Sequence, residues 1–530
     1  MKSFIELFID ARAVSTPLVA VRTFDPASTI RNVRKALDLR HSQDKDYPGA
    51  DDTPIIGWDA IHGLKGLDRD ADHTTGSVAL QTMLTLADVP AAATVDLSVA
   101  LGVLEFAAQD VIAFVHNPQL AWPTDPKVVQ GVWNLRDGYK ANGNMLVTLI
   151  GVGDTLPTEL QQDVLVLDEP LPTAAELQTI ITDTFKYAGQ QYPACKGAAK
   201  AEVVKQATEA LVGLPAFPAE QATAMCLDKN TGKLDIPQLW DRKRTIVSQR
   251  PGLTFLQPTE TLADMYGNEG FANFAKAFME GEYAPNIILR TDEIEKQFAG
   301  NGTDSSGSTG KQLGEFLSWI EDNNVVCTLA LGVPGTSKSW SVQCIAGHYK
   351  KPYIKFDLSA MEDKHVGEGG KILRGNEKTV EAISDKKIWL IATANSLRGL
   401  PPELMSRFQV GGIFFFDVAT EEEKLGIMKL KIARYKLNSE QPMPAMEGWS
   451  GRDINNCARR SQMLGIPLEA AGKLIIPLMT SHHEEMEALR ASAHGKFLSA
   501  SHSGVYQYKA MEKTNPNVIT PVVNAGRKIR

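Results

Sequence analysis

One stretch constrains the fold of this chain more than any other, residues 331–339, with the sequence LGVPGTSKS. The apolar run VVCTLAL at 325–331 precedes it and predicts a buried parallel strand, and WSVQCIAGHYKK at 340–351 predicts a helix. A strand, a glycine-rich turn that ends in Lys-Ser, and a helix together form the setting in which backbone N–H groups cradle nucleotide phosphates. The stretch therefore predicts a phosphate loop on an α/β fold.

Each residue of this loop has a candidate role in binding a nucleotide. Gly332 and Gly335 let the backbone fold back, Lys338 can reach the β- and γ-phosphates, and the Ser339 hydroxyl can bind Mg²⁺. The candidate nucleotide-binding residues are Gly332, Val333, Pro334, Gly335, Thr336, Ser337, Lys338 and Ser339. Ser337 stands where a last glycine is usual, so a positive φ there would cost more free energy than with glycine. The alternative is an ordinary glycine-rich turn between a strand and a helix.

Composition bounds the class of protein. A length of 530 residues suits roughly two to four domains, and 43% hydrophobic with 22% charged residues is typical of a soluble globular chain. The net charge of −8 disfavours electrostatic attraction to nucleic acid or to an anionic membrane, and we expect neither as a partner. Five cysteines without a CxxC pair indicate a reducing compartment, and we expect the cytoplasm. We expect neither a signal peptide nor a membrane span, because no apolar run reaches about 18 residues.

The pattern of strands and helices predicts two tandem α/β units. Residues 1–170 alternate apolar strands with helices, which is typical of a doubly wound sheet, and residues 171–255 are mostly helical. A second α/β region covers 256–420, a second helical region covers 421–490, and 491–530 form a tail of weak pattern. We therefore predict an α/β fold of two doubly wound units, each followed by a helical lid.

An internal repeat relates the two units. LPTEL at 156–160 and LPPEL at 400–404 each lie between an apolar strand and a second strand that ends in Asp. The repeat makes VLVLDEP at 164–170 the last strand of its sheet rather than the acidic strand of a transporter-type ATPase. Where the first unit should have its loop it has TFDPAST at 23–29, without Gly or Lys. Only the second unit is therefore predicted to hold a phosphate loop.

Polar residues at strand ends supply the candidate chemistry of hydrolysis. Asp292 and Glu293 end the apolar strand NIILRTDE, where Asp292 can hold Mg²⁺ and Glu293 can polarise the attacking water. The alternative is a pair of solvated carboxylates at a helix start, where acidic residues are favoured anyway. Asn395 ends the strand KIWLIATAN and can hold the water or the γ-phosphate, or can simply be a turn residue.

Two arginines are further candidates. Arg407, in LMSRFQVGG, has the position of a charge that reaches the nucleotide of a neighbouring subunit, and a surface arginine is the alternative. Arg452 follows Ser450-Gly451 at a predicted helix start and is a weaker candidate for a γ-phosphate sensor.

Taken together, GVPGTSKS, DEIEK, ATAN, LPPEL, SRF and WSGRDI resemble the motifs of AAA-type ATPases. The tandem form with a degenerate first unit resembles the AAA proteins encoded by algal chloroplast genomes and cyanobacteria, over nearly the whole chain to about residue 490. The resemblance implies an ATPase that forms a homo-oligomeric ring, often a hexamer, and uses ATP and Mg²⁺ to remodel a protein or macromolecular complex. It gives phosphate-loop roles to Lys338 and Ser339, metal and base roles to Asp292 and Glu293, the sensor role to Asn395 and the trans arginine-finger role to Arg407.

The chain departs from this family in the order of its motifs. In the family the acidic strand follows the phosphate loop, whereas here DEIEK precedes it. We infer that the acidic strand and its helix are transposed, which a sheet of order 5-1-4-3-2 tolerates because each changed crossover skips one neighbouring strand and stays right-handed. The alternative is that DEIEK is unrelated and the site is crippled.

Two single residues also depart from the family pattern. Ser337 replaces the loop glycine, as a small residue does in the related MoxR-type ATPases, and His365 takes the place of the pore-loop aromatic residue. The histidine argues against the threading of a polypeptide by an aromatic grip.

Three functions follow as hypotheses. The first is a Mg²⁺-dependent ATPase that remodels a macromolecule as an oligomer. The second is a scaffold whose assembly is gated by nucleotide and which hydrolyses little. The third, a nucleic-acid motor, is disfavoured by the acidic net charge and by the lack of a basic stretch interleaved with aromatic residues.

Overall fold

The structure is a computed structural model that describes residues 3–297, 308–361, 368–477 and 483–508. Two mostly parallel sheets, each flanked by helices, make the fold α/β, which confirms the predicted class. Within these described ranges, no helix combines the length and the apolar character that a membrane crossing needs. All five cysteines are buried free thiols.

The first unit contains one six-stranded sheet. Its elements are α1 (Phe4–Ala13), β1 (Leu18–Thr23), α2 (Pro26–Gln43), β2 (Ile55–Asp59), β3 (Gly63–Gly66), α3 (Thr75–Ala87), α4 (Leu97–Leu104), β4 (Ile112–His116), α5 (Pro126–Asn142), β5 (Met145–Gly151) and β6 (Leu165–Asp168). The strand order is β3-β2-β4-β5-β1-β6, and only β3 runs antiparallel to its neighbour. The predicted alternation of apolar strands with helices is present, with β1, β2, β4, β5 and β6 as the apolar strands. The short β3 and the helix α1 were not predicted, because GLKG carries no apolar pattern and α1 depends on a capping box between Ser3 and Glu6.

A helical region follows the first unit. It consists of α6 (Ala174–Gln191), α7 (Ala201–Leu211), α8 (Ala216–Cys226) and α9 (Ile236–Ser248). The stretch GLPAFPAE at 213–220 contains the break between α7 and α8, and α8 begins within it, directly after Pro215. Pro218 lies in the first turn of α8, where the missing N–H has no intrahelical acceptor to lose.

The second unit is built on a seven-stranded sheet. Its elements are β7 (Leu253–Leu256), α10 (Glu269–Met279), β8 (Ile287–Thr291), α11 (Ile294–Gln297), α12 (Ser308–Asp322), β9 (Val326–Leu331), α13 (Lys338–His348), β10 (Tyr353–Phe356), α14 (Glu368–Ser384), β11 (Ile388–Ala394), α15 (Pro402–Arg407), β12 (Ile413–Phe415), α16 (Glu421–Arg434), α17 (Gly451–Leu464), α18 (Leu468–Gly472), α19 (His483–Ala493) and β13 (Leu498–Ser499).

The order of this sheet is β13-β12-β9-β11-β8-β10-β7, and its five inner strands have the non-sequential order that the sequence predicts. The acidic strand β8 lies between β11 and β10 and runs parallel to both. The chain therefore skips β11 between β8 and β9, and skips β8 between β10 and β11. Taken from β12 to β10, the five inner strands correspond in position to β6-β1-β5-β4-β2 of the first unit, although their order in the chain differs.

Two predicted boundaries need correction. The strand β7 crosses the boundary at residue 255 and pairs antiparallel with β10 at the edge of the sheet. The predicted tail from 491 is not separate, because α19 continues to Ala493 and β13 pairs with β12. Arg490 on α19 and Tyr506 after β13 both donate hydrogen bonds to Asp417, which follows β12. Residues 509–530 lie outside the described residues.

The two α/β units contact each other through α14. Nζ of Lys371 lies 2.7 Å from Oδ1 of Asp154, and Arg374 donates a hydrogen bond of 2.8 Å to the carbonyl of Gly153. A Cβ at Gly153 would lie 2.2 Å from the carbonyl oxygen of Lys371, so the backbones approach closely there. The loop after β5 of the first unit therefore contacts the second unit directly.

Candidate nucleotide site

The phosphate loop connects β9, which is buried, to the first turn of α13. At Gly332, a Cβ would lie 2.3 Å from the carbonyl oxygen of Phe416. At Gly335, φ is 93° and a Cβ would lie 2.6 Å from Oγ of Ser450. Both positions therefore require glycine, the first because the neighbouring backbone is close and the second also because of its left-handed conformation.

Ser337 adopts the positive φ that its position in the motif predicts. Its φ is 66°, and it precedes α13 without a side-chain hydrogen bond to cap the helix. A non-glycine residue in this region costs roughly 1–2 kcal/mol. The loop therefore keeps its turn with serine in place of glycine, at some cost in stability.

The Lys338 side chain is buried against the loop, with the residue only 7% exposed. Its Nζ donates hydrogen bonds to the carbonyls of Gly332 and Val333, and one of 3.1 Å to Oδ1 of Asn395. Burial lowers the pKa of Lys338 to about 8, although nearby carboxylates, Glu295 first, oppose the shift. An amine held by neutral oxygens suits a phosphate group, which would supply the missing negative charge.

Ser339 and Asp292 meet at the end of the loop. The Ser339 hydroxyl donates a hydrogen bond of 3.0 Å to Oδ1 of Asp292, and Thr393 on β11 donates one of 3.3 Å to the same atom. Hydroxyl and carboxylate oxygens are the ligands that Mg²⁺ prefers. The donor set therefore fits a magnesium ion, and the transposition of β8 does not separate the two groups.

Glu293 lies beside Asn395 at the mouth of the site. Its Oε1 accepts a hydrogen bond of 3.1 Å from Nδ2 of Asn395, and its Oε2 lies 2.8 Å from Nζ of Lys296. The contact with Lys296 lowers the pKa of Glu293, so the side chain is an ionised carboxylate at neutral pH. An exposed carboxylate next to a polar amide can accept a proton from a bound water molecule.

A cleft of about 500 Å³ joins these groups. Among the predicted residues, it is lined by Asp292, Glu293, Pro334, Gly335, Thr336, Ser337, Lys338, Ser339, Asn395 and Arg452. Arg452 enters from the first turn of α17 in the lid. Gly332 and Val333 contribute their carbonyls to Lys338 behind the cleft. The structure therefore brings all but one of the predicted site residues together.

Arg407 is the exception. It is not among the residues that line the cleft. It ends α15, and its Nη2 lies 2.7 Å from Oε2 of Glu321 on α12. His365, which takes the place of the pore-loop aromatic residue, lies outside the described residues.

Several residues of the site were not predicted. Glu295 is 7% exposed, and its Oε1 accepts a hydrogen bond of 3.0 Å from the backbone N–H of Asn395. Arg290, two residues before Asp292 on β8, lies 3.1 Å from Oδ2 of that aspartate. The second Glu of DEIEK could have indicated Glu295, and the alternation of side chains along β8 could have indicated Arg290. Neither signal shows which strand lies next to β8, and the contacts of both residues depend on that.

One wall of the cleft is largely apolar and was also missed. It is formed by Met265, Tyr266, Trp340, Ile427 and Leu430. The indole N–H of Trp340 donates a hydrogen bond of 3.2 Å to the carbonyl of Asp264. The stretch ETLADMYGNEGFANFAKAFMEGE at 260–282 has a helical pattern, but α10 begins only at Glu269. The loop that precedes α10 therefore forms part of this apolar wall.

The corresponding edge of the first unit carries carboxylates that are hydrogen-bonded within the unit. Glu169, after β6, accepts hydrogen bonds from Thr23, Thr29 and Asn32, and burial raises its pKa. Asp25 caps the start of α2. Glu169 and Asp25 line a cleft of about 600 Å³ at the sheet edge where the second unit has its phosphate loop, and residues 23–29 of the first unit form no such loop.

Comparisons with known proteins give the same relationship as the motifs. No family model matches the chain. The chain is 22% identical over 219 residues to the "Uncharacterized AAA domain-containing protein ycf46" of Pyropia yezoensis, a match that covers 31% of this chain and 44% of that protein. The ycf46 protein of Guillardia theta is 20% identical over 341 residues, covering 56% of this chain and 60% of that protein. The chain is thus similar to AAA domain-containing proteins of algae, as its motifs predict.

Other matches are shorter. The ycf46 protein of Gracilaria tenuistipitata var. liui is 24% identical over 199 residues, covering 30% of this chain and 38% of that protein. Among solved structures, the FIGL-1 AAA domain aligns with 34% of this chain and 86% of its own at 14% identity, with a TM-score of 0.24. The chain spans less than two thirds of the length of each of these ycf46 relatives.

Proposed function

We propose that the chain is an AAA-type ATPase that binds ATP with Mg²⁺ in this cleft and hydrolyses it to ADP and phosphate. The observation that carries the proposal is the hydrogen bond of 3.0 Å between Ser339 and Asp292. Those two residues come from the phosphate loop and from the transposed strand. A loop alone would explain binding, whereas a carboxylate at the loop serine and a second beside it supply the metal and base functions of hydrolysis.

The roles of the residues follow from their positions. The loop N–H groups and Lys338 bind the phosphates, and Ser339 and Asp292 would hold Mg²⁺, which would neutralise phosphate charge. Asn395 orients a water molecule, and Glu293 accepts its proton as the water oxygen bonds to the γ-phosphorus. The bond from that phosphorus to the β–γ bridging oxygen breaks, and ADP leaves. Arg452 contributes positive charge from the lid.

We further propose that the active form is a homo-oligomeric ring that remodels a protein or macromolecular complex. Arg407 supports this, because it lies away from the cleft of its own chain and is held by Glu321, which is largely exposed. From there it can serve the nucleotide of a neighbouring subunit. No feature of the described residues names the substrate.

The test is ATP turnover by the purified chain with Mg²⁺ and with excess EDTA. We expect Mg²⁺-dependent phosphate release from the wild type and none from Lys338→Ala. Lys276→Ala, which removes an exposed lysine of α10 that has no role in the cleft, is the matched control and should behave as wild type. Equal turnover by wild type and Lys338→Ala would contradict the proposal.

One observation favours the second hypothesis, the nucleotide-gated scaffold. Asp292 forms an ion pair with Arg290 at 3.1 Å, and Glu293 forms one with Lys296 at 2.8 Å. Both carboxylates that are proposed for hydrolysis are therefore already neutralised by basic side chains of the same chain. Nucleotide binding with normal affinity, without turnover above the Lys338→Ala background, would support the scaffold.

A further inference from the structure

The acidic strand carries a buried arginine on the same face as its aspartate. Arg290 and Asp292 are two residues apart on β8 and its continuation, so their side chains project to the same side of the sheet. The Arg290 side chain is 13% exposed, and its Nη2 lies 3.1 Å from Oδ2 of Asp292. The pair therefore sits directly behind the proposed metal site.

The guanidinium is anchored on its other side by the neighbouring strand. Its Nη1 donates a hydrogen bond of 2.7 Å to the hydroxyl of Tyr353 on β10, and its Cζ lies 5.5 Å from the centre of that ring. Tyr353 itself is fully buried. The buried Nε of Arg290 has no hydrogen-bond partner in the part of the chain that the structure describes. Of the two residues that contact the Arg290 guanidinium, Tyr353 and Asp292, only Asp292 is a carboxylate. The guanidinium and this carboxylate therefore fix each other's position.

The two oxygens of Asp292 have separate partners as a result. Oδ1 accepts from Ser339 at 3.0 Å and from Thr393 at 3.3 Å, and Oδ2 faces Arg290. A carboxylate without the arginine could rotate about its last torsion, which is broad for aspartate. Arg290 therefore fixes which oxygen is presented to the loop serine.

We propose that Arg290 is a positioning residue that sets the affinity of the site for Mg²⁺ by holding Asp292 in its metal-binding orientation. The inference rests on the proposed function, because it assumes that Mg²⁺ binds with nucleotide at Ser339 and Asp292. Side chains that orient a metal ligand commonly change metal affinity by roughly 10–100-fold when removed. The positive charge of Arg290 acts in the opposite direction, and we expect the loss of orientation to be the larger effect.

The test measures binding rather than turnover. The affinity for a fluorescent ADP is determined in EDTA and across a Mg²⁺ titration, for wild type and for Arg290→Met. We expect the affinity in EDTA to be unchanged within about twofold and the half-saturating Mg²⁺ concentration to rise about tenfold. Arg290→Lys keeps the charge but not the planar fork that joins Asp292 to Tyr353, so it should restore only part of the affinity.

Two further variants separate positioning from simple stability. Arg490→Met breaks another largely buried arginine–aspartate pair of this unit, in which Nη2 of Arg490 lies 2.8 Å from Oδ1 of Asp417. It should lower thermal stability without moving the Mg²⁺ titration. Tyr353→Phe removes only the hydroxyl anchor and should shift the titration in the same direction as Arg290→Met, by less, and it carries the test if Arg290→Met does not fold.

The possible failures are distinguishable. If wild type binds ADP equally well with and without Mg²⁺, the proposed metal site itself is wrong. If wild type binds more tightly with Mg²⁺ but Arg290→Met titrates like wild type, or binds Mg²⁺ more tightly, only the positioning role of Arg290 is overturned.

Discussion

The Ser339 hydroxyl donates a hydrogen bond of 3.0 Å to Oδ1 of Asp292, a residue that precedes it by 47 positions in the chain. The contact exists because β8 is inserted between β11 and β10, which places its end at the same sheet edge as the phosphate loop. The site depends on the position of each strand in the sheet. The order of the strands in the chain can differ, provided that each helical crossover remains right-handed.

The proposed base gives the first prediction. Glu293→Gln keeps the shape of the side chain and its contact with Asn395 but cannot accept a proton, so ATP turnover should fall by roughly 10²–10⁴-fold. Binding of ATP, measured by titration calorimetry, should change little. Glu403→Gln, an exposed glutamate in the first turn of α15, is the control and should turn over as wild type. Unchanged turnover in Glu293→Gln would show that another group is the base.

The ion pair of Arg407 allows a trans role to be tested against a structural one. Arg407→Ala and Glu321→Ala both break the contact of 2.7 Å, but only the first removes the guanidinium. We expect Arg407→Ala to lower the turnover of the assembled protein by at least tenfold and Glu321→Ala to have little effect. Specific activity should be followed over a range of protein concentrations, with the assembly state measured by light scattering. Equal losses in the two variants would indicate that the ion pair itself matters.

The buried lysine makes nucleotide affinity depend on pH. The pKa of Lys338 is lowered to about 8 in the free protein, and a bound phosphate should raise it by stabilising the ammonium form. Affinity for ADP should therefore be constant below about pH 7 and fall above pH 8, by up to about tenfold per pH unit. Calorimetry from pH 7 to 9.5 measures this. Lys338→Arg, which remains charged, should bind without that dependence, and an equal slope in both proteins would exclude Lys338 as its source.

The backbone at Ser337 predicts a gain in stability. Glycine adopts φ near 66° without steric cost, so Ser337→Gly should stabilise the fold by about 0.5–1 kcal/mol after the greater entropy of glycine in the unfolded chain is counted. Ser15, with φ 50°, is a matched position outside the site, and Ser15→Gly should give a similar gain. Urea unfolding compares the two. A loss of stability in Ser337→Gly alone would mean that the serine hydroxyl contributes a stabilising contact.

A buried carboxyl on α14 predicts a pH-dependent stability. Burial, and then the charges of Glu315 and Glu381, raise the pKa of Glu377 to about 8. The folded-state pKa of Glu377 lies above its unfolded value. The contribution of the protonated carboxyl to folding stability is therefore fully present below the unfolded pKa, and it is lost as pH rises towards 8. Glu377→Gln should therefore gain stability relative to wild type between pH 5 and pH 8, by at least about 2 kcal/mol. Thermal unfolding at pH 5 and at pH 8 measures this gain in stability. Glu282→Gln, at an exposed position, should show no such gain.

The sequence by itself determined the features that depend on neighbours in the chain. Gly332, Gly335, Lys338 and Ser339 could be assigned because a phosphate loop is one local turn between a strand and a helix. Asp292 and Asn395 could be assigned because polar residues at the carboxyl ends of parallel strands face one edge of the sheet. The transposition could be inferred because few strand orders keep right-handed crossovers.

Only the tertiary structure decided the features that depend on which elements pack together. Three features each join segments that are distant in the chain: the contact between Arg290 and Tyr353, the hydrogen bond that the N–H of Asn395 donates to Glu295, and the apolar wall around Trp340. The strand β13 could not be predicted from the sequence, because its two residues carry no periodic pattern. It forms where the edge of β12 is free to pair. Local propensity fixes turns and strand ends, whereas side-chain partners follow from long-range packing that no single segment encodes.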